Sequence, residues 1–476
     1  MKKKRSRRLD SNKSILGITY VFAGLFLCLL IYFGYFLQVR SQTVINNSYN
    51  ARLDSFADRI VRGEILSRDG QVLAQTTVAD DGTEKRSYPF DSLFAHVVGY
   101  SDHGKTGLES LANFYLLSSH VNLIERTANE LAGDKNIGDN VVTTLDVGLQ
   151  KTASEALGDR RGAVVVMEPS TGKILAMVSK PGFNPNTLAQ DWDSLISGDN
   201  TKAQLLNRAT QGLYPPGSTF KIVTMLAYIR QHPDTWQDFT FDCNGSFQAG
   251  EYTISCYHGE AHGHQDIRQA FANSCNGAFA SMGLDFDLAS LRTMTDSLLF
   301  NSDLPLAIAY SKSSFVLAED AGAWDRLQTA IGQGGTQMTP IHNAMLTSAI
   351  ANGGILMKPY LIDHVENAAG ETVQKFLPSS SATLMNPAEA ETLSALMRGV
   401  VTAGTGSALR TDAYDVAGKT GSAEFETGKE THAWFTGFAP VDHPQIAVTV
   451  LVEESGSGGK VAAPIARKIF DEWFSR

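Results

Sequence analysis

The stretch Tyr214–Thr224, YPPGSTFKIVT, decides how this chain is read. Two prolines and a glycine halt the segment before it, and Ser218 and Lys221 then stand three apart at the head of an apolar run, IVTMLAYI. Positions i and i+3 share a helix face, so the lysine stands beside the hydroxyl. A helix N-terminus favours developing negative charge there. Packing against an apolar wall lowers the proton affinity of a lysine and makes it a base for a serine nucleophile. The plain alternative is an N-cap serine followed by a solvated lysine. Ser-x-x-Lys alone does not separate the two, because it recurs at Ser170/Lys173 in a predicted hairpin turn and at Ser457/Lys460 in a Gly-rich loop. Only Ser218 opens a predicted helix.

Two further motifs change the balance. FANSCNGAF places Ser274-Cys275-Asn276 after a predicted helix, where a hydroxyl and an amide two residues apart point to one side of a loop. Such a pair passes a proton and holds an amide substrate. VAGKTGSAE places Lys419-Thr420-Gly421 in a predicted strand, with Lys419 and Gly421 on one face. The lysine supplies positive charge, and the missing side chain lets a substrate lie against the backbone. Both motifs have a second copy, at Ser48-Tyr49-Asn50 and Lys105-Thr106-Gly107, outside the order that counts. That order is a helix-start SxxK, a loop SxN 56 residues on and a strand KTG another 145 on.

This ordered triple is similar to that of the penicillin-recognising serine acyl-transferases. Over nearly its whole length the chain resembles a monofunctional class B penicillin-binding protein, a peptidoglycan D,D-transpeptidase. The segments that carry the likeness are RGEILSRDGQVLA, GLESL, NRATQGLYPPGSTFK, AIGQGGTQMTPIHNA, GKTGSAE and HAWFTGFAP. The family usually has threonine where Ser422 stands, and both carry the hydroxyl. The resemblance implies that Ser218 attacks the carbonyl between two terminal D-alanines and that Lys221 takes its proton. It implies that Ser274 relays a proton to the leaving amine, that Asn276 bonds the substrate amide and that Lys419 supplies positive potential. Thr420 and Ser422 would bind the terminal carboxylate beside Gly421, and the N–H groups of Ser218 and Ser422 would form an oxyanion hole. It further implies β-lactams as inhibitors, no cofactor for the chemistry, and a SEDS-type glycan polymerase as membrane partner.

The nearest alternatives are a membrane-anchored D,D-carboxypeptidase and a β-lactamase-like hydrolase. The second calls for a group that activates water, and no Glu-x-x-Leu-Asn pattern follows the serine. A β-lactam sensor would need a cytoplasmic output domain, and a bifunctional synthase a glycosyltransferase domain. Neither fits the 14 residues before the apolar run or the roughly 100 after it.

The ends and composition agree with a wall enzyme. The chain has 476 residues and net charge -10, and the basic tail MKKKRSRRLDSNKS leaves the remainder strongly acidic, which argues against nucleic acid as partner. Residues 15–37 carry no charge and are long enough to cross a bilayer, with the basic side cytoplasmic. The expected division is a cytoplasmic tail at 1–14, a transmembrane helix at 15–37, a pedestal at 38–140 and a transpeptidase domain at 141–476. The expected fold class is α/β (α+β): an antiparallel five-stranded sheet packed between helices, built from GAVVVM, ILAMVSK and three late strands, and closed by a C-terminal helix.

Three cysteines lie beyond the apolar run, and an odd number leaves one unpaired in an oxidising compartment. With His262 the set Cys243, Cys256, Cys275 reads Cys-x12-Cys-x5-His-x12-Cys, a spacing suited to a structural zinc, with His258 or His264 as substitutes for His262. A Cys243–Cys256 disulfide and three free thiols are the competing expectations.

Overall fold

The computed structural model describes residues 2–37, 59–198 and 201–476. The second Ser-x-Asn copy, at residues 48–50, lies outside them. Helix α1, Lys2–Tyr35, contains the stretch Ile15–Tyr35, which is long and apolar enough to span a membrane. Its large apolar side chains, among them Phe22, Leu25, Phe26 and Ile31, face outward without a protein partner.

The pedestal is organised by a six-stranded sheet. Its strands run in the order Thr372–Lys375, Ile362–Glu366, Asn140–Thr143, Ile65–Leu66, Val72–Val78, Glu84–Ser87. Ile65–Leu66 and Val72–Val78 form a hairpin that turns at Asp69-Gly70, with Gly70 at φ +75°, a backbone that glycine adopts without cost. Two strands come from far along the chain, so the catalytic half supplies part of the pedestal's sheet. Beneath it Glu109 is fully buried between Arg62 and Arg86, at 2.6 and 2.8 Å. Arg62 also donates to Asn113 Oδ1, and Tyr88 Oη to Glu109. Glu109 is thus bonded to both arginines, which makes the cluster structural, while Arg86 Nη2 is buried without a partner among the described residues.

The second sheet is the expected one. Strands β1 (Gly162–Met167), β2 (Ile174–Lys180), β3 (Ala417–Ala423), β4 (His432–Ala439) and β5 (Ile446–Val452) run antiparallel in the order β3–β4–β5–β1–β2. Period-two alternation sends Val165 to one core and Val164 and Val166 to the other. A helix at Pro340–Ala351 covers the first face, and helices at Val147–Leu157 and Ala462–Phe474 cover the second. Both faces are therefore dry, and β4 and β5 are buried along their full length.

Asn386 opens a helix through a capping box, with Pro387 in the first turn, and that helix buries Leu393, Leu396, Met397, Val400 and Val401. Elsewhere between residues 200 and 400 the helices are interrupted by short strand pairs. Thr240–Cys243 pairs with Gly263–Asp266, Ser246–Ala249 with Tyr252–Ser255, and Ile355–Met357 with Ser380–Thr383. These strands are three or four residues long and largely exposed, so they carry no apolar alternation for a sequence reading to find.

Candidate active site

The turn that carries Ser218 is held by backbone and side-chain contacts. Gly217–Phe220 forms one turn of 3-10 helix that leads into helix α2, Lys221–Gln231. Gly217 N donates to Gly332 O at 2.8 Å, Trp434 Nε1 to Pro215 O at 3.0 Å, and Asn343 Nδ2 to Thr219 Oγ1 at 3.2 Å. None of these three partners was assigned a role from sequence, although all lie in segments that carry the resemblance, AIGQGGTQMTPIHNA and HAWFTGFAP. Ser218 itself is half-buried, while Lys221 is fully buried.

Edge strand β3 lies against this turn. A Cβ on Gly421 would sit 3.2 Å from Thr219 N and 3.1 Å from Trp434 Cβ. The missing side chain thus admits the nucleophile's own turn, where the sequence reading had assigned the space to substrate. Thr420 Oγ1 pairs with Thr405 Oγ1 at 2.6 Å, and Ser422 Oγ accepts from Gly458 N at 3.3 Å. As the outer strand of its sheet, β3 leaves its free edge available to an extended peptide.

The Ser-x-Asn loop owes its shape to a helix ending. Helix Ile267–Ala272 closes with Ser274 N donating to Phe271 O and Cys275 N to Ala270 O, the pair of bonds of a Schellman motif. Ser274 occupies the left-handed position, φ +56°, where glycine is usual. The next helix, α3 at Asn276–Asp285, begins at once. The reversal points Ser274 and Asn276 toward α2 and buries Cys275 completely on the other side.

Three motifs far apart in sequence meet here. Lys221 Nζ donates to Ser274 O and Asn276 Oδ1, each at 2.7 Å, and reaches Ser274 Oγ at 3.3 Å. Lys419 Nζ donates to Ser274 Oγ at 2.8 Å and to Thr420 O at 3.1 Å. Asn276 Nδ2 donates to Ser255 O at 2.9 Å. Burial pushes the Lys221 ammonium down from 10.5 to about 7. Burial and the neighbouring Lys221 charge hold Lys419 well below the ordinary lysine range. Two ammonium groups sharing one hydroxyl cannot both keep their protons cheaply, so the pair gives up a proton more readily than ordinary lysines do.

The Ser170/Lys173 and Lys105-Thr106-Gly107 copies stay apart, whereas the Ser457–Lys460 loop lies against β3 through Gly458 N, which donates to Ser422 Oγ. Lys173 pairs with Asp363 at 3.1 Å on the pedestal side, and Thr106 precedes a five-residue helix at Gly107–Leu111. The cysteines do converge: Cys243 Sγ lies 3.6 Å from Cys256 Sγ and 3.4 Å from His262 Nδ1, and Cys256 Sγ lies 3.8 Å from Cys275 Sγ. All four ligand atoms fall within 4.8 Å of one another. The three sulfurs are not bonded to one another in this structure. His264 pairs instead with Asp242, and His258 stacks edge-on to Tyr257, so neither replaces His262.

Comparison with known proteins places this geometry. Residues 162–471 match the penicillin binding protein transpeptidase domain, and residues 62–141 the penicillin binding protein A dimerisation domain. The chain is 34% identical to the peptidoglycan D,D-transpeptidase PbpA of Mycolicibacterium smegmatis, over 90% of each chain. It is 30% identical to the peptidoglycan D,D-transpeptidase MrdA of Acinetobacter baumannii, over 82% of this chain and 66% of that one. Among solved structures, the D,D-transpeptidase domain of a peptidoglycan glycosyltransferase from Eggerthella lenta superposes with TM-score 0.79 at 33% identity, covering 88% of this chain and 99% of that one. The imipenem acyl-enzyme complex of penicillin-binding protein A from M. tuberculosis gives TM-score 0.79 at 32% identity, with the same coverage. A buried Lys-Ser-Lys junction beside a serine at a helix start, on a scaffold shared along nearly the whole chain, makes this a member of the class B penicillin-binding proteins.

Proposed function

We propose that this chain cross-links peptidoglycan stem peptides by D,D-transpeptidation through an acyl-enzyme on Ser218, and that β-lactams acylate the same oxygen. The observation that carries the reading is the convergence of Lys221 and Lys419 on Ser274 beside the turn of Ser218. Lys221, when neutral, accepts the Ser218 proton as the hydroxyl adds to the penultimate D-Ala carbonyl. Backbone N–H groups of Ser218 and Ser422 receive the oxyanion. The proton passes through Ser274 to the departing D-Ala amine, and the C–N bond breaks. One N–H of Asn276 remains for the substrate amide after its bond to Ser255. Thr420 and Ser422 bind the terminal carboxylate next to the Lys419 charge. The amine of a neighbouring stem then displaces Ser218, and no cofactor enters the chemistry.

The reading extends to the cell surface. The basic tail at 1–14 stays in the cytoplasm, the helix at 15–37 anchors the chain, and the pedestal at 38–140 lifts the catalytic domain at 141–476 toward the wall. A SEDS-type polymerase would supply the glycan strands through contacts with the anchor and pedestal.

The test is direct. Full-length protein in detergent, incubated with benzylpenicillin, should gain the mass of one drug molecule on the peptide that contains Ser218. Labelling that persists in Ser218→Ala overturns the assignment. Supplying a D-Ala-D-Ala donor with an amine acceptor separates the chemistries: a cross-linked product supports transpeptidation, and hydrolysis alone favours the carboxypeptidase reading.

A further inference from the structure

We propose that Cys243, Cys256, His262 and Cys275 bind one zinc ion that locks the Ser-Cys-Asn loop into its catalytic shape. The argument begins with distances. A tetrahedral zinc with Zn–S of about 2.3 Å and Zn–N of about 2.0 Å sets its ligands about 3.8 Å apart for S···S and about 3.6 Å for S···N. The observed separations are 3.6 and 3.8 Å between sulfurs and 3.4 Å from Cys243 Sγ to His262 Nδ1. A disulfide would need about 2.05 Å between sulfurs. Three thiolates and one imidazole are a zinc ligand set, unsuited to calcium or magnesium.

The ligands come from four separate elements. Cys243 ends the strand Thr240–Cys243, and His262 precedes its partner Gly263–Asp266, in register with Gly263 opposite Cys243. Cys256 follows the strand Tyr252–Ser255, and Cys275 caps α3. The excursion between Thr240 and Asp266 has almost no core of its own. Ile254 reaches the main core, and the remaining buried contacts are the three cysteines with Ala270 and Ala278, flanked by Phe239 and Phe241. So small a unit needs a staple to hold one conformation. Cys275 is the N-cap of α3, so its sulfur lies at the positive end of that helix, a position that favours a metal-bound thiolate.

The consequence for catalysis follows from adjacency. Cys275 lies between Ser274 and Asn276, and Cys256 follows Ser255, whose carbonyl accepts the Asn276 amide. The ion would therefore fix both ends of the loop that holds Lys221 and Lys419. It offers no position to substrate, so Cys275 is a positioning residue.

Full-length protein purified in detergent without chelator should contain about one zinc per chain by elemental analysis. Zinc content should fall at least fivefold in Cys243→Ser, Cys275→Ser and His262→Gln, and stay unchanged in Cys28→Ser, whose thiol lies in α1. Cobalt exchanged into the site should show the intense visible absorption of a tetrahedral thiolate complex, absent in Cys275→Ser. Stripping zinc from the wild-type chain should slow acylation of Ser218 by about tenfold, with recovery on adding zinc, which does not depend on any variant folding. Zinc-free protein with a Cys243–Cys256 disulfide or three freely titrating thiols overturns the proposal, as does zinc that survives all three substitutions. The acylation readout rests on the transpeptidase reading, but metal content and cobalt spectra do not, so the two can fail separately.

Discussion

Lys221 and Lys419 come from a helix start and a strand 198 positions apart, yet both reach the Ser274 hydroxyl, at 3.3 and 2.8 Å. Among the described residues, neither ammonium has a carboxylate partner there. The site stores positive charge in a dry pocket and lowers the proton affinity of both lysines.

Acylation should therefore follow the titration of Lys221. Its proton affinity is lowered to about 7, chiefly by burial, and the base is the neutral form. The second-order rate of penicillin acylation should rise roughly tenfold per pH unit below about 7 and level off above it. Lys221→Ala should slow acylation by about 10²-fold or more and abolish that inflection. A stopped-flow pH series on both proteins checks this; rates within twofold of wild type would remove Lys221 from the role. The same shift favours the native state at high pH, because the unfolded lysine takes up a proton between 10.5 and about 7 as pH falls.

Ser274 bears a left-handed backbone that costs a side-chain-bearing residue about 1–2 kcal/mol. Ser274→Gly and Ser274→Ala both remove the hydroxyl that the lysines share, so both should acylate far more slowly than wild type. The glycine variant should nevertheless be more stable than the alanine variant by about 1 kcal/mol in chemical denaturation. Equal stability would mean that the backbone relaxes when the hydroxyl is lost.

Glu109 should be the weak point of the pedestal in acid. Its two arginines overcome burial and hold its carboxyl down at about 2, against 4.5 unfolded. A depressed carboxyl contributes stability that is present above about 4.5 and lost as pH falls toward 2. Glu109→Ala should cost about 3–5 kcal/mol, since Arg62 and Arg86 are left charged and nearly buried. Hydrogen exchange of amides in 62–143 should rise before that of the β3–β4–β5 strands, and uniform loosening would argue against a local role.

The anchor should be separable from the chemistry. A chain lacking residues 1–40 should remain soluble and react with penicillin, but it should fail to support growth where the gene is required. Full complementation by an exported truncated form would show that membrane attachment and a membrane partner are dispensable.

Local order in the sequence determined much of this protein. The i, i+3 spacing of Ser218 and Lys221, the cap at Asn386 and the Asp69-Gly70 turn act over a few residues, where propensity and sterics decide. The five strands were legible because a sheet dry on both faces leaves long β-branched runs. Tertiary structure alone decided the rest. That both lysines are desolvated depends on packing between segments far apart in the chain, which no window of sequence contains. That Gly421 makes room for Thr219, that His262 rather than His258 or His264 joins the thiols, and that Ile362–Glu366 completes the pedestal sheet all depend on which surfaces meet. Such contacts are fixed by burial and shape at long range, where residue spacing carries no information.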